Sequence, residues 1–385
     1  MAVKLVSLIC ETEICNGLRI LLCGPLRISA PSAVNFLLTA ESAEIRRGPQ
    51  RKTMKATLIA FLVTLLLPVC GSAQDQRKQQ LDTLRAQGYE ALYNLDYTGA
   101  RKLFQKMIDI APDHPAGAQC FASSLWLQQL NEAWELKASL YSTDAYANGK
   151  SKADRAKGDE FRKWIRTAKQ LSQARLRKDP HDIEALYFLG AAEGLEAAYA
   201  AAVDKKFMAA LRAGSNSVDH HREVLKLDPD FHDAELTIGL MDYVVGSLPL
   251  PVKMIVGTMG VRGSKKRGLS ALERVSTEGH WARDAARVLL VDLYKREKRW
   301  NDAFEMARQL SAKYPRNYLF KLQMADALVS EIVSLRKSKS PNSAAQEQQV
   351  MTIFTSLLRD KTLDRSALDV INFRLNITRE QLSHH

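Results

Sequence analysis

Four prolines punctuate this chain of 385 residues, and each is followed ten residues later by a side chain small enough to let two helices cross closely. Ala122 follows Pro112, Gly190 follows Pro180, Gly239 follows Pro229 and Ala325 follows Pro315. Proline lacks an amide donor and clashes with the preceding turn, so it ends one helix, and Gly or Ala then admits a neighbouring backbone in the next. Looking backward, Ala100, Ala168 and Ala303 each stand twelve residues before one of these prolines. Such a ruler predicts consecutive helical pairs, and residues 81–336 carry no convincing period-two alternation that would argue for strands.

The clearest unit runs from Leu81 to His114 and places Gly88, Ala100, Phe104 and Pro112 in order. A second spans Asp284 to Asn317, with Tyr294 on the first helix, Trp300 at the turn, Ala303 and Ala307 on the second helix, and Pro315 closing it. This pattern resembles the tetratricopeptide repeat, whose period is about 34 residues. The resemblance implies an all-α fold, an α-solenoid of degenerate helical hairpins with inserts and a C-terminal capping helix. Between the two clear units, helices are expected near 115–141 and 156–178, with 141–157 as a loop. The alanine-rich stretch 191–202 should prolong its helix, and Ala213-Gly214-Ser215 should break it.

A narrower resemblance lies between Gly239 and Leu272. Small helix residues, an apolar Leu-Pro stretch, a Gly260-x-x-Gly263 turn, basic residues and then Gly268-Leu269 resemble the eukaryotic inclusion-body clearance and tetratricopeptide-39 family. It implies a repeat protein with an apolar insert, and lipid or organelle association by analogy. It transfers no catalytic residue.

The N-terminal region reads differently. Met54-Lys55, an apolar run over 56–69 and the small residues Gly71-Ser72-Ala73 have the layout of a secretory signal cleaved near Ala73. The fourteen residues of that run reach only about two-thirds of a bilayer core, so a membrane anchor through 56–69 is the lesser reading. Residues 1–53 then precede a complete signal and are expected to be absent from the mature protein, Met54 being the initiator. Cys70 fits a lipidation box poorly, because Val69 before it is large. Cys10, Cys15, Cys23 and Cys70 all precede the cut, which leaves Cys120 as a lone buried thiol. A periplasmic or secreted location follows as the expectation.

Removing residues 1–73 lowers the formal charge from +12 to +8, and the remaining Lys and Arg are interleaved with Asp and Glu along helices. That is the pattern of a solvated helical face, and nucleic acid is excluded as a partner for want of a clustered basic module with stacking aromatics. Residues 74–80 read as a polar, flexible leader, 81–336 as the solenoid and 337–343 as a linker. In 344–385, Val350, Ile353, Phe354, Leu357 and Leu358 form a stripe expected to cap the stack, a docking helix being the alternative.

With no catalytic, cofactor or metal signature, the expected partner is a protein or peptide, with a membrane surface as the alternative. In a curved stack the first helix of each pair lines the inner wall. The prolines place Arg85, Tyr89, Tyr187, Tyr243, Asp292, Lys295 and Asp326 there, either as contacts for an extended peptide or as packing against inserts. The insert 244–261 is dense in apolar residues, among them Leu248, Leu250, Met254 and Ile255. It either folds back into the groove or offers an apolar surface. Asp219, His220, His221, Glu223 and His232 are metal-ligand types without ligand spacing, so a helix surface is the better reading. Gly260 to Gly268 lacks the Gly-Lys-Ser/Thr order of a phosphate loop.

Overall fold

The computed structural model describes residues 75–139, 152–204, 206–258, 260–337 and 343–383. Among these residues the regular structure is helical, with no strand. The helices are α1 (75–93), α2 (Tyr97–Ile110), α3 (Pro115–Ser139), α4 (Lys152–Leu176), α5 (Ile183–Ala202), α6 (Phe207–Leu227) and α7 (Glu235–Ser247). They continue with α8 (Leu250–Thr258), α9 (Lys265–Glu278), α10 (Arg283–Arg296), α11 (Trp300–Lys313), α12 (Tyr318–Lys337), α13 (Ala344–Leu358) and α14 (Arg365–Ser383). Each helix from α2 packs on the next except at α8, which is bypassed: α7 packs directly on α9. This is a stack of paired helices, a tetratricopeptide-like α-solenoid.

Local chemistry explains the boundaries. Pro112, Pro180, Pro229 and Pro315 lie in the turns after α2, α4, α6 and α11. Asp96, Asp182 and Asp364 accept from the amides of Gly99, Ala185 and Ala367 and so cap α2, α5 and α14. Within the first pair, a Cβ on Gly88 would stand 2.3 Å from the Phe104 ring. At the α7/α9 crossing the close neighbours are backbone atoms. A Cβ on Gly268 would meet the Gly239 carbonyl oxygen at 2.5 Å, and one on Gly246 would meet the Lys265 amide nitrogen at 2.4 Å. Backbone lies against backbone there, which only glycine permits.

The solenoid has two kinds of helix. α5 buries 14 of its 20 residues and α10 buries 7 of 14, whereas α6 buries 5 of 21 and α11 only 3 of 14. Inner helices are therefore covered on more than one side and outer helices on one. What covers the inner helices is the opposite wall of the superhelix. Arg85 of α1 lies 4.0 Å from the Trp281 ring centroid and 5.0 Å from that of Phe188 on α5. The Tyr93 and Tyr314 rings are 5.1 Å apart, and Asn317 Nδ2 donates to the Tyr93 carbonyl at 2.7 Å. One apolar cluster accordingly includes residues from Leu81 to Ala327.

At the C-terminal end, Val350, Ile353, Phe354 and Leu357 of α13 are buried with Leu322 and Ile332 of α12 and Ile371 of α14. Leu358, from the same stripe, stays on the surface. α14 turns back far enough to touch α3.

Several local expectations are corrected. Residues 75–80 are helical and belong to α1, so the polar leader does not extend through them. α4 begins at Lys152, inside the expected loop, and 140–151 fall outside the described residues. The break foreseen at Ala213-Gly214-Ser215 is absent: α6 runs through it, where a Cβ on Gly214 would meet Met241 of α7 at 3.4 Å, and the chain turns instead at 203–204. The small residue serves a helix crossing there. Residues 1–53 and the signal-like segment 54–73 lie outside the described residues.

Candidate functional site

The inner-wall positions come together, but as packing. Arg85, Tyr187 and Tyr243 are buried, and Tyr89 is half-buried with its ring 5.4 Å from Phe104. Tyr187 lies 5.1 Å from Phe231 and stacks on His221 at 5.2 Å. Tyr243 donates to Glu297 at 2.7 Å, and Tyr294 and Tyr314 make the same kind of bond to Glu273 and Asp284 at 3.0 and 2.6 Å. Burial and these adjacent carboxylates push the three phenols upward, so they stay protonated and act as donors.

Asp292 and Lys295 pair at 3.0 Å, Lys295 also reaches Gln323, and Asp326 is bonded by Arg374 of α14. At the axis, Tyr93, Asn131, Asp292, Asn317 and Gln323 surround a cavity of about 50 Å³. That volume suits a few waters and not a peptide. Among the described residues, the inner-wall positions are engaged by the chain's own side chains.

The buried polar groups inside the wall hold it together. His221 is fully buried, with Nε2 3.0 Å from the Tyr187 carbonyl and Nδ1 bonded to Thr237. A carbonyl accepts, so Nε2 carries the proton and Nδ1 accepts from the hydroxyl. Desolvation lowers the imidazole to about 4 and keeps it neutral. His220 points elsewhere, 2.8 Å from buried Glu193, and that bond raises it. Lys169 of α4 stands 3.9 Å from the same carboxylate, so Glu193 ties both outer neighbours to α5. Asp233 is buried too. Its Oδ1 accepts from the amides of His280, Trp281 and Ala282 and caps α10 from 49 residues away. Among the described residues no group of three or more His, Cys, Asp or Glu could hold a metal ion.

Gly263 is packed against backbone, a Cβ there meeting the Asp242 carbonyl oxygen at 2.6 Å. The residues that resemble a phosphate loop thus serve the α7/α9 crossing.

Two outward surfaces remain. Between α4, α5 and α6 lies a groove of about 450 Å³ with Phe161, Ile165 and Tyr199 in its floor. Arg162 is held by Asp204 at 2.9 Å and Lys169 by Glu196 at 2.7 Å, while Arg166 and Lys206 on the rim pair with no described carboxylate. The second surface is α8. Val252 and Val256 are buried against Leu211, Val245 and Leu248, whereas Leu250, Met254 and Ile255 are 72, 63 and 52% exposed. Of the insert residues singled out from sequence, Leu248 turns inward and the other three turn outward. One face of the insert folds back on α6 and α7 rather than into the inner groove, and the other face is exposed.

No protein-family profile matches the chain, and no curated protein does. Among solved structures it is similar to a thermophilic tetratricopeptide protein of Thermus thermophilus, at 14% identity and a TM-score of 0.36 over 66% of this chain and 99% of that one. It is also similar to the human IFIT1 dimer with m7Gppp-AAAA, at 12% identity and a TM-score of 0.37 over 79% and 72% of the two chains. A monomeric IFIT1 mutant with Gppp-AAAA gives 11% identity and a TM-score of 0.37 over 79% and 73%. The assignment of tetratricopeptide-like hairpins rests on the chain's own geometry.

Proposed function

We propose that this chain is a protein-interaction scaffold of the cell envelope that receives an extended acidic segment in the groove between α4 and α6. The observation that carries this reading is the groove itself: an apolar floor of Phe161, Ile165 and Tyr199 beneath two cations, Arg166 and Lys206, that no described carboxylate neutralises. The packed floor shapes the groove, and the unneutralised charge selects an acidic ligand and speeds its encounter. The envelope location is supported by the Met54-to-Ala73 segment, and mass spectrometry of the mature N-terminus should find a chain beginning near Gln74. A chain beginning at Met1 would remove that support.

The groove is tested by fluorescence anisotropy with labelled acidic peptides containing aromatic residues. Binding should weaken with salt and fall at least tenfold in the Arg166→Glu, Lys206→Glu double variant. Binding that persists in this variant would place the docking surface elsewhere.

A further inference from the structure

The outward face of α8 has no counterpart elsewhere among the described helices. Leu250 and Met254 are one turn apart, Ile255 adjoins them, and all three project from a nine-residue helix whose other face is anchored by Val252 and Val256. Gly257 falls on the stripe begun by Leu250 and Met254, and a Cβ there would meet nothing within 4 Å. The corner is open.

Its charge is of one sign. Between Asp242 and Glu273 the chain has no Asp or Glu, while Lys253, Arg262, Lys265, Lys266 and Arg267 all fall in that interval. The nearby carboxylates are already used, Asp242 by Arg267 and Glu297 by Lys265 at 2.8 Å. Lys253, Arg262 and Lys266 pair with no described carboxylate.

From this juxtaposition, apolar side chains standing proud of a short anchored helix in a stretch of chain whose unpaired charges are all cationic, we propose that α8 docks the protein on an anionic bilayer surface. A protein interface would be expected to match the apolar centre with a mixed polar rim. Here the unpaired charges are all cations, which suits lipid phosphates, and flexible Leu, Met and Ile chains suit the acyl boundary. This inference stands apart from the proposed peptide groove, since the two surfaces share no residue and can fail separately.

The test is hydrogen exchange of the full 385-residue chain, read by mass spectrometry, with vesicles of phosphatidylcholine alone or containing phosphatidylglycerol. Reading the 250–258 peptide directly separates α8 from any other apolar segment. Anionic vesicles should protect it and neutral vesicles should not. The Leu250→Ser, Met254→Ser, Ile255→Ser variant, which leaves the buried valines in place, should lose that protection. Each of Lys253→Gln and Lys266→Gln should lower vesicle affinity about fivefold, corresponding to about 1 kcal/mol per cation. Gly257→Leu, which extends the exposed stripe, should raise it.

Equal protection by neutral vesicles would overturn the electrostatic half of the proposal. No protection at 250–258 while the chain sediments with anionic vesicles would overturn it entirely. So would protection that appears without vesicles as protein concentration rises, which would make the face a contact between copies of this chain.

Discussion

α5 and α6 are neighbours of nearly equal length, yet one is buried almost all round and the other along a single stripe. In α5 the polar residues are few, and Glu193 is neutralised by Lys169 and His220. In α6 the buried positions Leu211, Ser217, Val218, His221 and Val224 fall on one face, and the remaining positions are half-buried or exposed. The contrast shows how this solenoid differs from an open one. Its inner helices are covered by their hairpin partners and also by the opposite wall, and the surfaces proposed for binding lie on the outside.

Large-to-small substitutions should expose that difference most strongly. Phe188→Ala on α5 is expected to cost about 3–5 kcal/mol, because it removes a fully buried ring between Tyr187, His114 and Arg85. Met208→Ala on α6, an exposed position, should stay within about 0.5 kcal/mol. Urea denaturation of the two variants measures both. Similar losses would erase the distinction between inner and outer helices.

The next effect depends on pH. His221 has a folded value of about 4 against an ordinary 6.5, so the unfolded chain binds more protons between those limits. Its contribution is fully present above pH 6.5 and is lost as pH falls toward 4, amounting to roughly 3 kcal/mol. His220 is raised and acts with the opposite sign, stabilising below pH 6.5 and losing that effect as pH rises through its folded value. Stability-versus-pH curves of His221→Gln and His220→Gln should therefore depart from the parent in opposite directions. Departures of the same sign would contradict the two environments.

Asp233→Ala should cost about 1–2 kcal/mol, since three amides at the start of α10 lose their common acceptor. Hydrogen exchange should rise first at 280–286. Uniform loosening of the whole chain would mean that Asp233 is not a local cap.

Much of this architecture was legible because it is written in local residues. The prolines mark the turns, Gly88 and Phe104 meet as their spacing predicts, and Gly239 is packed against α9. The filled interior was also signalled, by the absence of a polar face along Ile183 to Ala202, but a repeat ruler describes pairs and not how far the stack curls. Nothing local reveals that Asn317 would reach Tyr93 or that Asp233 would cap α10. Those contacts join residues 224 and 49 positions apart. Gly214 was misread because the same residue serves as breaker and as crossing point, and only the arrival of Met241 decides between them. The outer groove escaped notice because its floor and rim come from three separate helices.

Closure of the superhelix on itself is most directly tested by a double-mutant cycle between Arg85 and Trp281, which lie 196 positions apart in sequence and 4.0 Å apart in the fold. Arg85→Ala, Trp281→Ala and the double variant, compared by urea denaturation, should give a coupling of about 1 kcal/mol or more, as expected of a buried cation over an indole ring. Additivity within about 0.3 kcal/mol would mean that the two walls stand apart across an open trough.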